Sequence, residues 1–128
     1  LLEAALRPYG LPLVAPQVPF RPAESPRLTA APRAVFQAVL PDEPTGGYIT
    51  VYEFPSTTES ADAGREMAHF LQSGPGQVNY PPDARFVLRQ VGTTLVFFAW
   101  APSTASDPRI EDVARALETV GQGIPVRR

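Results

Sequence analysis

The chain has 128 residues, with 11 basic side chains that are all Arg, 13 acidic ones, a single His and no Cys, for a formal charge of −2. That length is one domain's worth of sequence, and at 44% hydrophobic and 19% charged it lies outside the composition of disordered chains. The charge balance argues against a nucleic-acid backbone as partner. The absence of Cys excludes thiol catalysis, disulfides and thiolate zinc sites together.

Residues 1–9 set Leu1, Leu2, Ala5, Leu6 and Tyr9 on one helical stripe, which Pro8 and Gly10 bring to an end. The chain starts at Leu1 rather than Met, which reads as a piece cut from a longer precursor. No run in it approaches the ~18 to 20 apolar residues of a membrane-spanning helix, and no signal-peptide series is visible. Nine of the 16 Pro fall between residues 8 and 44, which argues against an internal helix and removes ladder donors. An extended surface path is therefore expected over about 8–32. Residues 33–40 are fit for a strand, a loop containing Gly46 and Gly47 follows, and the aromatic and β-branched run 48–54 completes a hairpin.

Pro55 ends that strand, and Ser56 to Glu59 has capping-box spacing, which predicts a helix over 57–72. Its apolar arc is Ala61, Gly64, Met67, Ala68 and Leu71, with Asp62, Arg65, Glu66 and His69 opposite. Ser73-Gly74-Pro75-Gly76 reads as its terminator. A loop through Tyr80-Pro81-Pro82 leads to strands at 85–91 and 94–100 around a Gly92-Thr93 turn. Asp107-Pro108 marks a last helix start, with Glu111 and Asp112 at its positive end, an apolar face of Ile110, Val113, Ala114, Leu117 and Val120, and Gly121 as its stop. The order α-ββα-ββα predicts a single α+β domain over 1–128. Its core is an antiparallel sheet of four or five strands with helices packed mainly on one face.

Strand alternation supplies the one functional hint. Phe86, Leu88, Leu95, Phe97 and Ala99 make a core face, yet the other side carries Val87, Val91, Val96, Phe98 and Trp100 beside Arg85 and Arg89. In the earlier strand Tyr48, Tyr52 and Phe54 alternate with Ile49 and Val51. The ordinary outcome is that the first helix and the Pro-rich segment cover this second face. If they leave it open, Tyr48, Tyr52, Arg85, Arg89, Phe98 and Trp100 become a partner or ligand surface.

Other constellations carry less. Asp62, Glu66 and His69 share one helical face, and Glu-x-x-His is a spacing seen in di-iron bundles, but no second such motif exists and Arg65 balances Asp62. No metal site and no cofactor is assigned. Gly-x-Ser-x-Gly, phosphate-loop and dinucleotide patterns are absent. Aromatic strands with Arg suit stacked RNA, but the order of elements is wrong for an RNA-recognition fold. Pro16, Pro19 and Pro22 have the spacing of a polyproline ligand or, more simply, of a stiff spacer. For carboxylate hydrolysis Asp83, Glu53 or Asp62 would have to converge, and no spacing suggests that they do.

The series Leu2, Leu6, Arg7, Gly10, the strand from Tyr48 to Phe54 and the hairpin from Arg85 to Phe98 resemble the extracytoplasmic domains of small bacterial lipoproteins, with the Pro-rich insertion as a departure. The resemblance implies export and a membrane tether upstream of the chain, and supplies no catalytic residues. The sequence thus predicts a non-enzymatic extracytoplasmic binding or interaction module, meeting a protein partner or a second copy. The alternatives are a small-ligand sensor with an anion-accepting pocket at Arg85 or Arg89, and a carboxylate hydrolase.

Overall fold

Six strands form the sheet of the computed structural model, which describes residues 1–128, and apolar runs bounded by Pro and Gly build the four long ones. The six are β1 (Leu13–Val14), β2 (Arg33–Ala38), β3 (Tyr48–Glu53), β4 (Arg85–Val91), β5 (Thr94–Trp100) and β6 (Gln122–Gly123). All pair antiparallel in one sheet, in the order β1-β2-β3-β5-β4-β6. The helices are α1 (Leu2–Leu6), α2 (Pro26–Ala30), α3 (Thr57–Gln72), α4 (Gly74–Asn79) and α5 (Ile110–Leu117).

The expected α+β antiparallel architecture is present, with six strands rather than four or five because two-residue strands extend both edges. The β4–β5 hairpin and α3 occupy the expected residues. At the hairpin turn Gly92 adopts φ 61°, a left-handed conformation that suits glycine. At the head of α3 the Ser56 hydroxyl accepts from the Glu59 amide at 3.1 Å and lies 3.2 Å from the Glu59 carboxylate. Two expectations change. The Pro-rich segment does contain a short helix, because Pro26 sits in the first turn of α2, where an amide has no helical partner to lose. For the same reason Gly74-Pro75-Gly76 both ends α3 and opens α4.

Helices stand against both faces of the sheet. Tyr52, Leu88, Leu95 and Phe97 pack under α3 (Ala63, Met67, Leu71) and Leu28 of α2. Gly64 lets the C-terminal segment close over this layer, since a Cβ there would meet the Ile124 side chain at 2.2 Å. On the other face Ile49, Val87, Val96 and Phe98 pack with Leu2 and Leu6 of α1 and with Val113 and Leu117 of α5.

A buried carboxylate, Glu24, is the most heavily bonded of the groups that fasten the Pro-rich arm between β1 and β2 to the α3 face. The Glu24 side chain is 2% exposed and accepts from both terminal nitrogens of Arg33, at 2.8 and 2.6 Å, from the Tyr52 hydroxyl at 2.5 Å and from Arg21 at 3.1 Å. Arg33 also donates to the Leu28 carbonyl and lies over the Tyr52 ring at 4.9 Å. The planar fork of Arg33 suits this bidentate pairing. Burial alone would raise the Glu24 carboxyl, but hydrogen bonds from Arg33 and Tyr52 and the charges of Arg33 and Arg21 outweigh it and hold the pKa below its ordinary 4.5. Burial first, and then the Glu24 hydrogen bond, keep Tyr52 protonated far above its ordinary range.

Replacing Glu24 by Gln leaves Arg33 without its counter-charge and is expected to cost about 3 kcal/mol of unfolding free energy at neutral pH. A carboxyl with a lowered folded pKa stabilises above its unfolded value and loses that contribution as pH falls through the folded value. Urea unfolding across pH should therefore show the native chain weakening below about pH 4.5, the ordinary carboxyl value, with the Glu24→Gln chain showing a flatter profile.

Candidate functional site

The six side chains expected to form one surface do not share a face. In the β3–β5 ladder Thr50 stands opposite Phe97 and Tyr52 opposite Leu95, so Tyr48 and Tyr52 point to the α3 side. Phe98, Trp100, Arg85 and Arg89 point to the other side by the β4–β5 register. Tyr52 and Phe98 are 0% and 1% exposed and belong to the two cores, so neither offers contact to a partner. Arg89 is also committed, donating to the carbonyls of Val120 at 2.7 Å and Gly121 at 3.1 Å and so fastening the end of α5 to β4. Arg85 is exposed and lies over the Trp100 ring at 5.6 Å. Tyr48 and Trp100 are half-buried.

Those last two both border a defect in the sheet. The β3–β5 ladder stops at Thr50 and Phe97, whereas β3 stays paired with β2 as far as Tyr48, and β5 with β4 as far as Trp100. The central strands therefore part, and the alternation of ladder bonds turns the main-chain groups of Tyr48 and Ala99 toward the gap without pairing them. A cavity of about 290 Å³ occupies this fork. Its inner wall is Tyr48, Thr50, Phe97, Ala99 and Trp100.

Three segments enclose it. The Pro-rich arm contributes Phe20, which stacks on Tyr48 with ring centres 4.3 Å apart and planes 7° from parallel. Tyr80, from the loop after α4, lines the same side and donates to the Ala23 carbonyl at 2.5 Å, holding the arm in place. Burial, and then the nearby Glu24 charge, keep this phenol protonated as a donor. Two loops that Glu43 joins border the remaining side of the cavity, the Glu43 carboxylate accepting from the amides of Ser106 at 2.7 Å and Asp107 at 3.1 Å. Gly47 allows the tight entry into β3, with φ 80° and its Cα against the Ala38 carbonyl.

Thr50 is the informative polar group. It is 0% exposed, it lines the cavity, and its hydroxyl has no hydrogen-bond partner. A buried hydroxyl without a partner costs about 1–3 kcal/mol, a cost that a bound polar group can offset. Sequence reasoning missed Thr50, Phe20, Tyr80 and Glu43, and it placed Phe97 only in the core. The available signals were a lone Thr between apolar strand residues and aromatics next to Pro in two loops. No spacing joined them.

The other constellations stay apart. Asp83 accepts from the hydroxyl and amide of Ser103, both at 2.7 Å, and these bonds hold its carboxyl below the usual range. Glu53 accepts from Thr94 at 2.9 Å and Asp62 pairs with Arg65, so the three carboxylates considered for hydrolysis are engaged separately. Glu66, beside His69 on α3, pairs with Arg27 at 2.7 Å, and no three His, Cys, Asp or Glu side chains converge anywhere as metal ligands. A second, more open hollow of about 560 Å³ lies beside α1, lined by Phe36, Val51, Val91 and Val96.

Comparison with protein-family models, with curated proteins and with solved structures gives no match for this chain.

Phe98 separates a core role from a contact role. Truncation to Ala is expected to lower unfolding free energy by about 3–5 kcal/mol, as for other fully buried Phe. Urea denaturation measures this, and an unchanged midpoint accompanied by altered self-association would return Phe98 to the surface.

Proposed function

We propose that the chain is a non-enzymatic, extracytoplasmic binding module whose site for a small ligand is the cavity in the sheet fork. The observation that carries this reading is the buried hydroxyl of Thr50, which has no hydrogen-bond partner, in a residue that lines the cavity together with five aromatic side chains. Protein interiors seldom leave such a group unpaired beside a space large enough for a ligand.

Several features favour binding over catalysis. The ionisable side chains on the lining are Glu43, Tyr48 and Tyr80, and His69 lies elsewhere, on α3. Glu43 is fixed by two amides and Tyr80 by the Ala23 carbonyl, so no nucleophile stands beside a base. No Arg lines the cavity, and an anion would find no counter-charge there. The likeness in element order to lipoprotein domains supports placement outside the cytoplasm. A second reading, self-association, is favoured by the open hollow beside α1, where Phe36, Val51 and Val91 remain partly exposed. Sedimentation would then show mass rising with protein concentration.

Small ring compounds test the main reading. On titration of ¹⁵N-labelled protein with phenol, benzamide and benzamidinium, amide shifts are expected to centre on residues 46–50 and 97–104, with dissociation constants on the order of 1 mM for ligands of this size. Ala99→Leu, which extends a side chain into the cavity, should abolish the shifts while the rest of the spectrum stays native. The reading is wrong if none of the three compounds shifts those amides, or if the shifts centre on the hollow beside α1.

A further inference from the structure

The walls of the fork also specify the charge of what they hold. Five aromatic side chains line the cavity, Phe20, Tyr48, Tyr80, Phe97 and Trp100. Aromatic faces carry negative potential and attract cations within about 6 Å, most strongly where water is excluded. The protein already uses one of these rings in this way, with the Arg85 guanidinium over Trp100 at 5.6 Å.

Formal charge points in the same direction. Glu43 is the one charged side chain on the lining, and no Arg or His accompanies it. The amides of Ser106 and Asp107 fix one of its oxygens without neutralising the group. The neighbouring loops add Asp42 and Asp83, the latter beside the Arg85 guanidinium, while the Arg109 guanidinium is taken by Asp107 at 3.1 Å. The Thr50 hydroxyl is free to accept from an N–H group. A bare metal ion is poorly matched, since hard cations need several oxygen ligands and the lining offers one carboxylate among rings. An anion would face Glu43 with no compensating charge.

We infer that the fork cavity takes a small organic cation, an ammonium or amidinium group carried on an aromatic or apolar body. This rests on the binding reading given above and narrows it to one ligand class. The cationic end would be held by Glu43 and the aromatic walls, and the apolar body by the remaining lining, Phe20 and Pro22 among it.

Three compounds of one shape, which differ in charge and in hydrogen-bond donors and acceptors, separate the possibilities. Benzamidinium, benzamide and benzoate share one shape, and isothermal or spectral titration gives their dissociation constants against the native chain. Benzamidinium is expected to bind about tenfold tighter than benzamide, with benzoate weakest. In Glu43→Gln, where the amide oxygen can still accept from Ser106 and Asp107, benzamidinium should lose most of its advantage over benzamide. Equal binding of benzamide and benzamidinium, or tightest binding of benzoate, overturns the cation assignment and leaves the cavity as a site. Absence of binding by all three overturns the binding reading itself.

Discussion

A single buried carboxylate determines what the proline-rich arm can be. Pro lacks an amide hydrogen, so a segment so rich in it has few ladder or helix bonds with which to hold itself to a sheet. Glu24 replaces them with charge-assisted bonds from Arg33 and Arg21 and a bond from the Tyr52 hydroxyl, all reaching one side chain that is 2% exposed. The arm is thereby held across the α3 face, and Phe20 and Ala23, close by in sequence, reach Tyr48 and Tyr80. The arm so held supplies one of the cavity's walls.

The second constraint is that both faces of the sheet are apolar. A sheet of this kind must be covered twice, and the chain does so with α3 and its neighbours on one side and α1 and α5 on the other. Coverage is incomplete where the β3–β5 ladder ends. There the strands part, main-chain groups lose their partners, and space opens beside rings and a hydroxyl. Binding sites commonly sit where regular structure breaks down, because regular structure satisfies its own polar groups.

Much of the architecture was legible from local chemistry. The bounds of β4 and β5 follow from apolar alternation around Gly92, and α3 follows from the Ser56–Glu59 cap. What remained hidden depends on long-range register. Alternation shows that Tyr52 and Phe98 point to one side or the other of their own strands. Only the pairing of Tyr52 with Leu95 places them on opposite faces. The cavity was illegible for a related reason, since Phe20, Thr50, Tyr80 and Trp100 are brought together by the arm and by the ladder's early end. The apparent stickiness of both strand faces was real, and two layers of helices account for most of it.

The most direct test replaces Thr50 by Val, which keeps the shape and removes the hydroxyl. If that hydroxyl is held in reserve for a ligand, the unliganded variant should be more stable than the native chain by about 1 kcal/mol in urea unfolding, and its affinity for benzamidinium should fall several-fold. Lower stability together with unaltered affinity would show that the hydroxyl serves the fold, and the site would lose its strongest support.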